Sequence, residues 1–131
     1  LRVKLTTLDE WNDRRRQIAT IYEQELADVP EVVLPQTYPN TVPVWHLYVI
    51  RAKDRDNLAK HLKGRNIGTG LHYPLPMHLQ PAMGGREREG ECPIAETACK
   101  EILSLPMYPH LKAEQVVEVA RAICEFYGRR P

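Results

Sequence analysis

The chain has 131 residues, of which 43% are hydrophobic and 27% charged, and its net charge is +1. That length suits one domain able to bury roughly two-thirds of its unfolded surface. The charge balance argues against a nucleic-acid or anionic-membrane partner, which calls for a basic excess or a basic face. The runs "DRRRQ" at 13–17 and "GRR" near the C-terminus read as a solvated helix end and a tail. Cys92, Cys99 and Cys124 are odd in number and lack CxxC spacing, so neither a disulfide framework nor a zinc ribbon is indicated. Cys99 and Cys124 fall in apolar helical patterns and read as small core residues. With no signal peptide and no apolar run of about 18 residues, the expectation is a cytoplasmic protein. Leu1 is not an initiator methionine, and "LRVKL" reads as the interior of a longer pattern; the expectation is a piece of a larger protein.

Thr7-Leu8-Asp9-Glu10 fits a capping box opening a helix from Leu8 to Leu26, with Leu8, Trp11, Ile18, Tyr22 and Leu26 on one face. "DVP" at 28–30 stops it, because the residue before proline avoids helical geometry. "EVVLP" at 31–35 is a short strand, and "VWHLYVIR" at 44–51 is the strongest strand in the chain. Its alternation sets Val44, His46, Tyr48 and Ile50 against Trp45, Leu47 and Val49; neither face is polar, so both are expected to be covered. Asp54 caps a helix through Leu58 and Leu62 that ends near Gly64. "RNIGTGLHY" returns as a strand whose glycines suggest a bulge or a close backbone approach. "GLHYPLPMHLQPAM", from Gly70 to Met83, is a proline-stiffened loop, and "GGREREGE" a mobile connection. Pro93 suits the first turn of a helix with Ile94, Ala98 and Ile102 as its apolar stripe, Ala95 and Cys99 alongside. "ILSLPMYP" at 102–109 is a strand leading into a turn. The last helix carries Val116, Val119, Ala120, Ile123 and Tyr127 and stops at Gly128. The order implies an α+β fold: a small antiparallel or mixed sheet with helices packed on it.

Few chemistries fit. His46, His61, His72, His78 and His110 form neither an HExxH motif nor a helical i,i+4 pair, so no metal site is expected. Cys92 lies near a helix N-terminus, where a thiolate is stabilised, but a structural role is the stronger reading. Ser104, the chain's one serine, has no elbow motif around it and reads as a buried strand hydroxyl. Gly68-Thr69-Gly70 lacks the remaining glycines and the lysine of a phosphate loop. What remains is the loop. His72, Tyr73 and His78 crowd a segment that can form neither a helix nor a central strand, because its prolines lack the needed donors. Two readings stay open: a site-forming loop, or a loop that only orders the domain.

Longer stretches carry a resemblance. "WHLYVIRAKDRDNLAKHLKGRNIGTGLHYPLPMHLQPAM" followed by "CPIAETACKEILSLPMYPHLKAEQVVEVARAI" resembles the C-terminal part of the DegT/DnrJ/EryC1/StrS aminotransferases. "HYPLPMH" and "LSLPMYP" occur together at the family's separation, and "RRRQIATIYEQEL" is similar to the segment joining its large and small domains. The resemblance implies residues 1–30 as a helix leading to a large N-terminal domain and 31–131 as the small C-terminal domain. It further implies a homodimeric, pyridoxal 5'-phosphate-dependent enzyme that aminates a nucleotide-linked keto-sugar, usually from glutamate. The Schiff-base lysine and phosphate cradle belong to the family's large domain; Lys4, Lys53, Lys60, Lys63, Lys100 and Lys112 match no such motif. The chain alone is therefore expected to hold no catalytic residue, bind no cofactor and be inactive, with His72, Tyr73 and His78 as substrate contacts. The alternative is a non-catalytic α+β binding or regulatory module derived from such a domain.

Overall fold

A computed structural model describes residues 1–83 and 88–129. In chain order the elements are α1 (Arg2–Leu5), α2 (Leu8–Glu25), β1 (Val32–Val33), β2 (Tyr48–Ala52), α3 (Arg55–Gly64), α4 (Pro93–Glu101), β3 (Ile102–Leu105) and α5 (Ala113–Phe126). Two 3-10 turns, Met77–Leu79 and Pro81–Met83, interrupt the proline-rich loop. The strands lie in the order β1-β2-β3, antiparallel throughout, with Val32 opposite Ala52, Tyr48 opposite Leu105 and Ile50 opposite Leu103. The fold is α+β, as its pattern of elements implies.

Strand alternation fixes the layers. Tyr48, Ile50 and Ala52 of β2 and Leu103 and Leu105 of β3 are buried, and they meet Tyr22 of α2, Leu58 and Leu62 of α3 and Val116, Val119 and Ile123 of α5. The helices α2 and α3 both pack on α5. Ile18, Ala19, Tyr22, Leu26 and Val29 join this same core, so residues 1–30 and the remainder share one apolar interior. Tyr22 stacks on Tyr48 with ring centroids 5.0 Å apart, and its hydroxyl donates to the Pro106 carbonyl at 3.0 Å. At the far end of α5, Gly128 takes φ +67°, a conformation costly for other residues, and turns the chain away. There the Tyr127 hydroxyl donates to the Lys53 carbonyl, and Arg129 pairs with Glu31 at 2.5 Å.

Several expectations are corrected. The capping box at Thr7 does not form: α1 places the Lys4 carbonyl within 3.2 Å of the Thr7 hydroxyl, and Glu10 pairs instead with Arg14 at 2.8 Å. The strand expected over 44–51 begins only at Tyr48, because Trp45 sits at φ +46° and breaks the extended run. Only one face of β2 is fully covered: Val49 on the second face is half-buried, Arg51 is exposed, and Val44 and Leu47 lie open ahead of the strand. The strand expected in "RNIGTGLHY" reduces to one bridge between Gly70 and Ser104. On α4 no residue is buried: Ile94 is 85% exposed, while Ala98 and Cys99 are only half-buried, as is Ile102 just beyond it, so the expected apolar stripe is only partly covered. Cys124 is buried, Cys99 only half-buried and Cys92 exposed, all as free thiols. The "GGREREGE" connection falls partly on 84–87, and the "GRR" tail partly on 130, both outside the described residues. Among the described residues no helix is long and apolar enough to cross a membrane, and no cluster of metal-ligating side chains occurs.

Candidate functional site

The second face of the sheet carries the residues of interest. Ser104 pairs with Val49 across β2–β3, so its side chain projects opposite to Leu103 and Leu105. On its other edge Ser104 exchanges two backbone hydrogen bonds with Gly70, at 3.0 and 2.8 Å. This bridge brings in the root of the proline-rich loop. Two residues on, Nδ1 of His72 lies 2.9 Å from the Ser104 hydroxyl oxygen. The ring passes close over Gly70: a Cβ there would sit 2.6 Å from Cε1 of His72. The close approach expected of the glycines is thus made to a side chain. The His72–Tyr73 peptide bond is cis, and the two rings meet edge-on with centroids 5.7 Å apart. Tyr73 is 71% exposed.

His78 lies apart from that pair. It is 8% exposed, and its Nε2 sits 2.8 Å from Oε1 of Glu96 on α4. The same oxygen accepts the backbone N–H groups of Gly90 at 2.9 Å and Cys92 at 3.3 Å. The His78 hydrogen bond holds the Glu96 carboxyl below the usual carboxylate range; burial opposes this, and the two backbone donors reinforce it. The loop is therefore fastened to β3 at Gly70 and His72 and to α4 at His78. Pro74, Leu75, Pro76 and Leu79 line a groove of about 330 Å³ with Glu96, Cys99 and Lys100. A second cavity, about 480 Å³, is walled by Gly68–Leu71 and by Arg55, Lys60 and Lys63. A third, about 540 Å³, is lined by Arg65, Tyr108, Gln115 and Glu118 and includes none of His72, Tyr73 and His78.

Of the three residues singled out in the sequence, His72 and Tyr73 stand together on the exposed surface, while His78 is turned into the protein. Sequence reasoning placed Ser104 correctly as a buried strand hydroxyl, at 4% exposed, but did not supply its partner. Glu96 was missed. Its signal was faint: an acidic residue in the first turn of a helix opened by Pro93.

Residues 1–124 match the DegT/DnrJ/EryC1/StrS aminotransferase family. The chain belongs to that family. It is 45% identical over 130 residues to the dTDP-3-amino-3,4,6-trideoxy-alpha-D-glucose transaminase of Streptomyces venezuelae, covering 98% of this chain and 34% of that protein. It is also 45% identical, over 132 residues, to the pleiotropic regulatory protein of Geobacillus stearothermophilus, covering 97% of this chain and 35% of the other. The crystal structure of S. venezuelae DesV in complex with a ketimine intermediate superposes with a TM-score of 0.93 at 44% identity, over 99% of this chain and 35% of that one. The chain thus spans about a third of the aminotransferases it matches, the C-terminal part.

Family membership implies pyridoxal phosphate, which requires a lysine amine for its Schiff base and donors for its phosphate. Lys4, Lys53, Lys60, Lys63, Lys100 and Lys112 are all exposed, and none bonds to His72, Tyr73 or Ser104 among the described residues. These residues do not make a cradle for the cofactor by themselves. What they present is an imidazole held by Ser104, an exposed phenol and a proline-stiffened backbone.

Proposed function

We propose that this chain is the C-terminal domain of a pyridoxal-phosphate aminotransferase that transfers an amino group from glutamate to a nucleotide-linked keto-sugar. The observation that carries this reading is the 45% identity to the S. venezuelae dTDP-sugar transaminase along 98% of the chain. In this reading the cofactor acts as electron sink, and its lysine and phosphate site belong to a large domain of the same polypeptide. Residues 1–30 lead into that domain while packing α2 into the core of the small domain formed with 31–131. His72 and Tyr73 supply polar contacts to the sugar nucleotide. His78 borders the same side of the cleft, and its hydrogen bond to Glu96 braces the loop that presents the other two. The enzyme works as a homodimer in the cytoplasm, where Cys92, Cys99 and Cys124 stay as thiols.

The test is turnover by the full-length polypeptide. With a dTDP-linked keto-sugar and glutamate it is expected to form the amino sugar and 2-oxoglutarate, and to carry the absorbance of bound cofactor. Residues 1–131 alone are expected to be colourless and inactive; transamination by them alone overturns the reading. The name of the Geobacillus relative favours a second reading, a regulatory protein. Full-length protein that binds the sugar nucleotide yet never turns it over would establish it.

A further inference from the structure

We propose that Ser104 is a positioning residue that keeps the proton of the His72 ring on Nε2, so that the exposed imidazole offers an N–H to an oxygen of its ligand. The statement about the proton stands on geometry alone; the identity of the ligand rests on the aminotransferase reading.

Ser104 is buried in β3, and both its backbone groups are already paired with Gly70. A buried hydroxyl needs an acceptor for its proton. Among the described residues the one hydrogen-bond partner of the Ser104 hydroxyl is Nδ1 of His72, 2.9 Å away. The hydroxyl therefore donates and Nδ1 accepts. A neutral imidazole carries its proton on the nitrogen that does not accept, which here is Nε2. The opposite tautomer, with Nδ1–H donating to the serine oxygen, strands the hydroxyl proton in a buried site.

The ring has little room to escape this choice. On one side it lies against Gly70, where even a methyl group would collide with Cε1. Beside it stands Tyr73, edge-on. Nε2 has no hydrogen-bond partner among the described residues, and His72 is exposed. The ring thus presents a donor, which selects an oxygen acceptor such as a sugar hydroxyl or a phosphate oxygen and disfavours an N–H or ammonium at the same place. Ser104 acts on the ligand only through His72.

The direct measurement is long-range ¹H–¹⁵N correlation on full-length protein labelled with ¹⁵N-histidine, the His72 signal being assigned by its loss in His72→Gln. The expected pattern is an unprotonated Nδ1 and a protonated Nε2, replaced in Ser104→Ala by a mixture of tautomers. A protonated Nδ1 in the wild-type protein, or a spectrum unmoved by Ser104→Ala, overturns the proposal. The wild-type spectrum decides even if the alanine variant fails to fold. In turnover, Ser104→Ala is expected to raise KM for the keto-sugar about five- to tenfold with kcat within about twofold, and Ser104→Thr to restore it. An unchanged KM alongside a changed tautomer removes the ligand-facing half of the proposal. No turnover in the wild type removes the aminotransferase reading and leaves the spectrum to judge Ser104.

Discussion

Glu96 governs the outer end of the loop, since one carboxylate oxygen collects His78 and two backbone donors. Its pKa is lowered on folding, so the anchoring is complete above the ordinary carboxylate pKa and disappears as the pH falls through the lower folded value. Thermal melts between about pH 6 and about pH 3 are expected to show a larger fall in midpoint for the wild type than for Glu96→Gln, because the amide cannot titrate. Equal falls would mean that this carboxylate does not contribute. Gly70→Ala is a second test at this scale. The clash falls on the end of a side chain rather than on backbone, so stability should change by about 1 kcal/mol or less while the His72–Ser104 hydrogen bond is lost. Denaturant melts and the His72 nitrogen spectrum read these separately. The strand at Ser104 was legible in the run "ILSL", although its burial does not follow from Leu103 and Leu105, which lie on the opposite face. The bond of Ser104 to a histidine 32 positions earlier was not, because only the Gly70 bridge brings them together.

At the scale of elements, the stacked tyrosines between α2 and β2 make a paired prediction. Tyr22 and Tyr48 are both fully buried, but among the described residues only the Tyr22 hydroxyl has a partner and that of Tyr48 has none. Burial pushes both phenols well above the ordinary tyrosine range, so each is neutral under any ordinary condition. Tyr22→Phe is expected to cost about 1 kcal/mol, because it also orphans the Pro106 carbonyl, whereas Tyr48→Phe should be neutral or stabilising. Urea unfolding midpoints at unchanged m-value check both. Helices with one strong apolar stripe were legible: α5 runs Ala113–Phe126 and buries Val116, Val119, Ala120 and Ile123 as its spacing requires. The ends of β2 were not, since nothing in "VWHLYVIR" announces the positive φ at Trp45. Nor was the partial cover of α4, because a period of three and four marks an apolar stripe without saying what covers it.

For the whole molecule, both α4 and the loop that packs beside it leave apolar side chains exposed. Ile94, Leu71, Tyr73, Leu75 and Met77 are all exposed, and the groove between loop and helix is partly apolar. A surface of this kind on an isolated chain promotes self-association. Residues 1–131 alone should form oligomers in sedimentation velocity, and Ile94→Glu should reduce them without lowering the thermal midpoint. A wild-type chain that stays monomeric up to about millimolar concentration would show that this face needs no cover. The α+β layout could be read from the order of elements, whereas the seating of the Gly70–Met83 loop could not, for it is built from contacts between segments far apart in sequence. Fixing the Gly70–Met83 loop at Gly70 and His72 and again at His78 leaves Tyr73–Met77 as a span between two piers. The roadway between them can be lengthened, shortened or resurfaced while the sheet beneath keeps its register. Under the proposed function, variation in the sugar is cheapest there, and exchanging this span between relatives is the natural first graft for redirecting specificity.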